Sequence, residues 1–399
     1  MRILHASDWH LGKTLEGRSR IPEQADYLDE VVRLAADVDL VVIAGDVFDV
    51  YNPPIDAEEL YFDTLARLGD GGRRPVVVIA GNHDSPDRIA AATPLAAAHG
   101  VYILGRVGQE PGRTGSVTYA APGVLGVGTP CGQEVRVAAL PYPSEARLAL
   151  LLTENVRERS LQTAYSEKVK SVLHGLAEHF TPGTVNLAVS HLQVRACLAS
   201  ESERALVGGA YQVETDVFPS TAQYVALGHL HRAQDVPDAP TAVRYCGAPL
   251  AFRFSETGEE RSHTVVEVDP GGSARIHRIP IDAGRPLVVW EAASLAEVVH
   301  GVEQGLHETA FIDLQLRVDA ALSHAELATL RRLPRDFVRI RAVLPEAALG
   351  PVAREDRLEL APAELFRAFY RDAVGSEPDA PLVDLFMELA SDVVAETRS

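Results

Sequence analysis

Five short apolar runs punctuate the first part of the chain: Ile3 to Ala6, Leu40 to Ala44, Val76 to Ala80, Val185 to Val189 and Tyr224 to Leu227. Each is too short for a helix, rich in β-branched residues and stopped by a small or polar residue, which predicts buried strands. Between them the spacing turns helical. Ile21 to Ala36 has Pro22 near its first turn, Ala57 to Leu68 follows the cap-like Asp56, and Tyr165 to Phe180 stops at Pro182 and Gly183. Strands alternating with helices predict an α/β layered core.

After Leu230 the texture changes. Val243 to Cys246, Thr264 to Val268 and Ala274 to Ile279 read as strands joined by Gly-rich turns, with a hairpin signal at Pro270-Gly271-Gly272. They predict a second, more antiparallel sheet completing the core. Gly284 to Pro286 marks a boundary. Beyond it, Leu287 to Trp290, a helix from Leu295, Phe311 to Val318, a helix from His324 and Phe337 to Val343 predict a small α/β unit. The tail carries two amphipathic stripes separated by Pro378: Leu365, Phe366, Phe369 and Tyr370, then Leu382, Leu385, Phe386 and Leu389. The expected organisation is a two-sheet core over 1–284, a small α/β domain over 285–350 and a helical tail over 355–399.

Composition narrows the class. A chain of 399 residues with 46% hydrophobic and 23% charged residues can bury a sizeable core and is ordinary for a globular protein. No apolar run reaches the roughly 18 residues of a membrane span. The opening residues meet His5 and Asp8 too soon for a secretory signal. Cys131, Cys197 and Cys246 stand far apart, so a disulfide framework is not expected and a reducing cytoplasm is. The net charge of −19 should repel duplex DNA at long range and, taken alone, points away from nucleic acid.

The chemistry lies in the residues just beyond the five runs. Asp8 and His10 come after the first, Asp46 after the second, Asn82-His83-Asp84 after the third, His191 after the fourth, and His229 and His231 after the fifth. Strand ends in layered α/β folds gather along one edge, so these residues should share a cleft. Carboxylate, amide and imidazole donors without thiolates suit a pair of divalent first-row cations, Mn²⁺, Fe²⁺ or Zn²⁺. Asp46 is the expected bridging ligand, and solvent between the metals would attack phosphorus. His83 would stabilise developing charge or protonate the leaving oxygen, with Asp84 orienting it. The other nine histidines, His5, His99, His174, His179 and His263 among them, read as ordinary structural or surface residues.

Asp8-Trp9-His10, Gly45-Asp46, Gly81-Asn82-His83-Asp84, His191 and Gly228-His229-Leu230-His231 together resemble the signature of the calcineurin-like metallophosphoesterase family. More narrowly, Ser7 to Gly12, Ala44 to Asp49, Ala226 to Gln234 and Val243 to Pro249 resemble the SbcD family, nuclease subunits of bacterial DNA-repair complexes. The resemblance implies one Mn²⁺ on Asp8, His10, Asp46 and His231, another on Asp46, Asn82, His191 and His229, and His83 as the catalytic histidine. It also implies exonuclease and endonuclease action on DNA, a homodimer, and an SbcC-type ATPase partner held by the tail, whose stripes would otherwise read as a cap on the chain's own core, the more common fate of such stripes. Some relatives outside bacteria carry a functional histidine three residues after the bridging aspartate; here that residue is Asp49, so no such role transfers.

Lys13, Arg18, Arg20 and Arg195 are the basic residues positioned to meet phosphates, a solvated loop being the alternative for each. Gly12-Lys13-Thr14 lacks the upstream glycine of a P-loop, Ser7 standing in its place. Two other functions compete with DNA hydrolysis. One is a phosphoesterase for a small molecule or phosphoprotein, which the same motifs would serve; the other is a DNA-tethering scaffold with a degenerate site. The segments after Gly284 favour the nuclease over the first, and the complete set of donors argues against the second.

Overall fold

The computed structural model describes residues 1–143, 158–200, 211–319, 322–343, 362–374, 378–380, 382–383 and 385–387. Two β-sheets face each other in its larger part. The first contains β1 (Arg2–Ala6), β2 (Leu40–Ala44), β3 (Val76–Ile79) and β4 (Val101–Leu104), all parallel and in that order. The second contains β5 (Val117–Ala121), β6 (Val124–Gly128), β7 (Glu134–Leu140), β8 (Val185–His191), β9 (Tyr224–Gly228), β10 (Gln234–Asp235) and β11 (Ala242–Tyr245). Here β7, β8, β9 and β11 run parallel, with antiparallel strands at both edges.

The three strands predicted to form a second, more antiparallel sheet divide between the two sheets instead. β11 joins the second sheet beside β9, whereas β12 (Ser262–Glu267) and β13 (Arg275–Pro280) form a hairpin on the first. β12 lies antiparallel to β1, with Leu4 opposite Val265. The four strands β4 to β7 fall outside the apolar runs recognised in the sequence.

Side-chain alternation explains why β2 is apolar throughout. Leu40, Val42 and Ala44 join Val137, Val185, Leu187 and Tyr224 between the sheets. Val41 and Ile43 point the other way, onto a layer that includes Tyr27, Leu28, Val31 and Leu65. Those residues come from α1 (Ile21–Ala35) and α2 (Ile55–Gly69). On the far side, Tyr165, Val169 and Leu173 of α3 (Glu158–Ala177) cover Ala138, Ala188 and Val225. The result is the expected layered α/β core, helices outside and sheets within. α2 starts one residue before Asp56, which lies in its first turn, where a negative charge suits the helix dipole; Pro54 takes the cap position.

Further along, β14 (Leu287–Ala292), β15 (Phe311–Arg317) and β16 (Asp336–Val343) form a three-stranded sheet. α4 (Leu295–Glu303) is capped by Ser294, and α5 (His324–Arg332) opens on a capping box of Ser323 and Glu326. By compactness the chain divides into Met1–Trp290, Gly305–Asp313 and Pro334–Arg339 on one side, and Glu291–Gln304, Leu314–Leu333 and Ile340–Ser399 on the other. In the tail, α6 (Pro362–Val374) presents Leu365 and Phe369 to solvent, and Phe366 stacks on Phe386 at 4.2 Å. Leu389 lies outside the described residues. Among the described residues, no helix is long and apolar enough to cross a membrane, and all three cysteines are free thiols.

Candidate metal centre

The C-terminal ends of five parallel strands, three from the first sheet and two from the second, converge on one buried site. β1 leads into Asp8 and His10, β2 into Asp46, and β3 into Asn82, His83 and Asp84. β8 ends on His191, and β9 leads into His229 and His231. The chain leaves these strands abruptly: φ is 53° at Asp8, 45° at His10, 50° at Asp46 and 105° at His229. Non-glycine residues with positive φ cost about 1–3 kcal/mol each and persist where the surroundings over-determine them. Here the surroundings do so through cross-loop hydrogen bonds, Asp8 N–H to Gly45 C=O and His10 N–H to Asp46 C=O, both 3.0 Å. Close packing requires glycine beside them. A Cβ on Gly81 would lie 2.1 Å from Asp46 Oδ1, and one on Gly228 would lie 2.1 Å from the carbonyl oxygen of Ala44 in the opposite sheet.

Asp46 sits between two groups of donors. Its Oδ2 lies 3.7 Å from His10 Nε2, and its Oδ1 lies 3.4 Å from His191 Nε2. His10 Nε2 in turn faces His231 Nε2 at 3.0 Å. On the other side, Asn82 Oδ1 lies 2.9 Å from His191 Nε2 and 2.8 Å from His229 Nδ1. Asp8 accepts the His229 backbone N–H and the Ser7 hydroxyl. Ligand atoms of Asp8, His10 and His231 fall within 4.8 Å of one another, as do those of Asp8, Asp46 and His191.

These donors fit a pair of cations. His191 donates Nδ1–H to the Ala44 carbonyl at 2.8 Å, so in the neutral ring the Nε2 lone pair points at Asn82 Oδ1 and Asp46 Oδ1. Three acceptors then converge, and a positive charge is needed among them. In the protein alone a proton meets that demand. Against its burial, the Asp46 charge and hydrogen bond push His191 up to about 9. Burial alone would raise Asp46, but His191, with His10 and His83, holds it well below the usual carboxylate range. Burial, with the Asp46 charge adding to it, pushes Asp8 up to about 8. Burial and the neighbouring His191 bring His229 down to about 3, keeping its ring neutral as a ligand must be. Divalent cations would supply the positive charge that this anionic centre calls for.

His83 stands beside this set. Its Nδ1 lies 2.6 Å from the Asp49 carbonyl oxygen, its backbone N–H donates to Asp46 Oδ1 at 2.8 Å, and its Nε2 lies 4.0 Å from Asp46 Oδ2. Asp84, expected to orient His83, turns its carboxylate to the backbone. Its carboxylate accepts backbone N–H groups from Gly81 (2.8 Å), Phe48 (2.9 Å) and Val47 (3.2 Å), tying the loop after β2 to the loop after β3.

The four basic residues scatter. Lys13 sits at the edge of the site, its ammonium 2.7 Å from Asp49 Oδ1 and 5.1 Å from the centre of the Phe252 ring. Arg18 pairs with Asp336 at 3.1 Å, and Arg195 with Glu214 at 2.9 Å. Arg20 departs from its expectation: it is buried, doubly bonded to Glu23 and bonded to the Ala251 carbonyl. Arg232, next after His231, is exposed and lines a cavity of about 670 Å³. Arg244 and Arg278 in that cavity share Asp235, and Arg261 is held by Glu256 and Glu259. Among the described residues, Arg232 has no such partner.

Residues 1–233 match the family model described as calcineurin-like phosphoesterase. The chain is 42% identical over 404 residues to the SbcD subunit of nuclease SbcCD from Bacillus subtilis (strain 168), covering 99% of each. It is 32% identical over 396 residues to the SbcD subunit from Rhodobacter capsulatus, covering 93% of this chain and 94% of that one. Among solved structures, a dimetal phosphatase from Danio rerio overlaps 71% of this chain and 99% of its own, at a TM-score of 0.38 and 15% identity.

Proposed function

The chain belongs to the calcineurin-like phosphoesterases and, within them, to the SbcD family of nuclease subunits, and on that premise we propose that it hydrolyses DNA phosphodiesters in an SbcCD-type complex. The observation that supports the chemistry is the convergence of carboxylate, amide and imidazole donors from five strand ends on one buried anionic centre. Asp8, His10, Asp46 and His231 would hold one Mn²⁺, and Asp46, Asn82, His191 and His229 the other. When bound, such a pair supplies Lewis-acid charge at the phosphate and lowers the pKa of water.

The protein's own residues do the rest. Asp46 remains ionised between the two donor groups and suits the bridging position. The Asp49 carbonyl fixes the proton of His83 on Nδ1, leaving Nε2 as the atom that holds or hands over a proton at the leaving oxygen. Lys13 and Arg232 are the basic groups placed to meet neighbouring phosphates, Lys13 after exchanging its contact with Asp49. With a net charge of −19, the chain binds DNA weakly without a partner and with steep salt dependence. The partner is an SbcC-type ATPase gripped by the tail, where Leu365 and Phe369 of α6 are 44% and 65% exposed. The functional division is a nuclease core over 1–284, a capping domain over 285–350 and a partner-binding tail over 355–399, and the active form is a homodimer.

The test is cleavage of radiolabelled duplex DNA with Mn²⁺, beside a His83→Ala variant and a p-nitrophenyl phosphodiester. DNA cleavage that falls about 10²–10⁴-fold in the variant is the expected result. Hydrolysis of the small ester with DNA left intact, with and without a partner ATPase, would leave a phosphoesterase that is not a nuclease.

A further inference from the structure

Asp49 lies outside the two donor sets assigned above, although its carboxylate stands within 4.8 Å of ligand atoms of His10 and His83, and three groups of the site converge on it. Its Oδ1 takes the Lys13 ammonium at 2.7 Å and lies 3.3 Å from His10 Nδ1, and its carbonyl oxygen lies 2.6 Å from His83 Nδ1. His10 Nδ1 is buried without a hydrogen bond, and the Asp49 Oδ1 oxygen lies 3.3 Å from it. The ring itself is gripped edge-on by Phe252, whose centre is 5.2 Å away, and Lys13 lies over that same Phe252. His10 can offer Nε2 to a cation only if its proton sits on Nδ1, and a carboxylate facing Nδ1 favours that tautomer.

We infer that Asp49 is a positioning residue. Its carboxylate receives the His10 Nδ1 proton and so aims Nε2 at the metal site, while Lys13 anchors it and offsets its charge, so that it does not compete for the cation. The same residue's carbonyl sets the tautomer of His83, which places one ligand and the catalytic histidine under one short segment. The inference rests on the metal reading above.

The experiment is Mn²⁺ titration of the full chain, read by the electron paramagnetic resonance signal of free Mn²⁺, for the wild type, Asp49→Ala and Asp49→Asn. Far-ultraviolet circular dichroism checks the fold of each. Asp49→Ala should weaken binding at one of two sites by about 10–100-fold, the usual cost of losing an outer carboxylate. Asp49→Asn, which retains an acceptor oxygen, should recover most of that loss. If Asp49→Ala does not fold, the Asn variant still decides, since near-wild-type affinity is required of it. Wild-type affinity in a folded Asp49→Ala, or a full loss in a folded Asp49→Asn, overturns the inference. A wild type that binds no Mn²⁺ overturns this and the metal reading together. Two bound ions without DNA cleavage would sink only the nuclease assignment.

Discussion

Replacing Asp84 separates two accounts of that residue, a partner of His83 or a clamp between loops. The structure supports the clamp: three backbone N–H groups, from Val47, Phe48 and Gly81, end on one fully buried carboxylate. Hydrogen bonds to a charged acceptor contribute about 1.5–3 kcal/mol each, so the gross sum is roughly 5–9 kcal/mol. Burial offsets part of it and, with the Asp46 charge, pushes the Asp84 carboxyl up to about 6. A net loss of about 4 kcal/mol is expected for Asp84→Ala, which strands three buried donors. Asp84→Asn keeps one acceptor oxygen but turns an NH₂ group on the remaining donors, for a loss of about 2–3 kcal/mol. The assay is urea unfolding in excess chelator, so that no metal contributes to stability. Both variants within about 1 kcal/mol of wild type, with DNA cleavage still lost, would refute the clamp and restore Asp84 as an orienting residue for His83.

Three further outcomes are expected from particular contacts. Arg232→Ala should lower the salt slope of DNA binding by about 0.9, the value of one phosphate contact, measured by fluorescence anisotropy across salt concentrations; an unchanged slope would exclude Arg232 from the DNA path. Arg20→Ala should instead cost about 3 kcal/mol of stability by leaving Glu23 charged and buried, with the salt slope unmoved; the reverse pattern would contradict its burial. His5, buried against the Tyr224 hydroxyl at 2.8 Å, is brought down to about 3 by burial and the Arg244 charge. Because the unfolded chain protonates His5 first, near pH 6.5, stability present above that pH is lost as pH falls toward 3. Between about pH 7.5 and pH 5 this amounts to about 2 kcal/mol. Urea melts of His5→Asn should show that much less loss than wild type over the same interval, and parallel curves would sink the assignment.

The strands that build the site were legible because both of their faces are buried, which makes them short apolar runs broken by no more than one polar residue, His5 in β1 and Asn186 in β8. Their five C-terminal ends carried the donors into view for the same reason. β7 escaped notice because Glu134 and Arg136 break its apolar run, and partly exposed β5 because Thr118 and Tyr119 do so. The hairpin of β12 and β13 was visible, but its sheet was not, since pairing with β1 joins residues from opposite ends of the core. Side-chain duties were the least legible. Arg20 looks like any loop arginine until Glu23 and the Ala251 carbonyl are seen to enclose it. Asp84 follows His83 in sequence, and only the fold shows its carboxylate accepting three loop amides. Asp49 stood out in sequence only as a position lacking a histidine, whereas the fold places it beneath two of them.

The proposed chemistry requires the five strand ends to hold two cations. Crystals soaked in Mn²⁺ and measured on both sides of the manganese absorption edge would locate every bound ion directly. Two anomalous peaks are predicted, one in contact with Asp8, His10, Asp46 and His231, the other with Asp46, Asn82, His191 and His229. A single peak, or peaks that leave Asp46 untouched, would contradict the dinuclear centre.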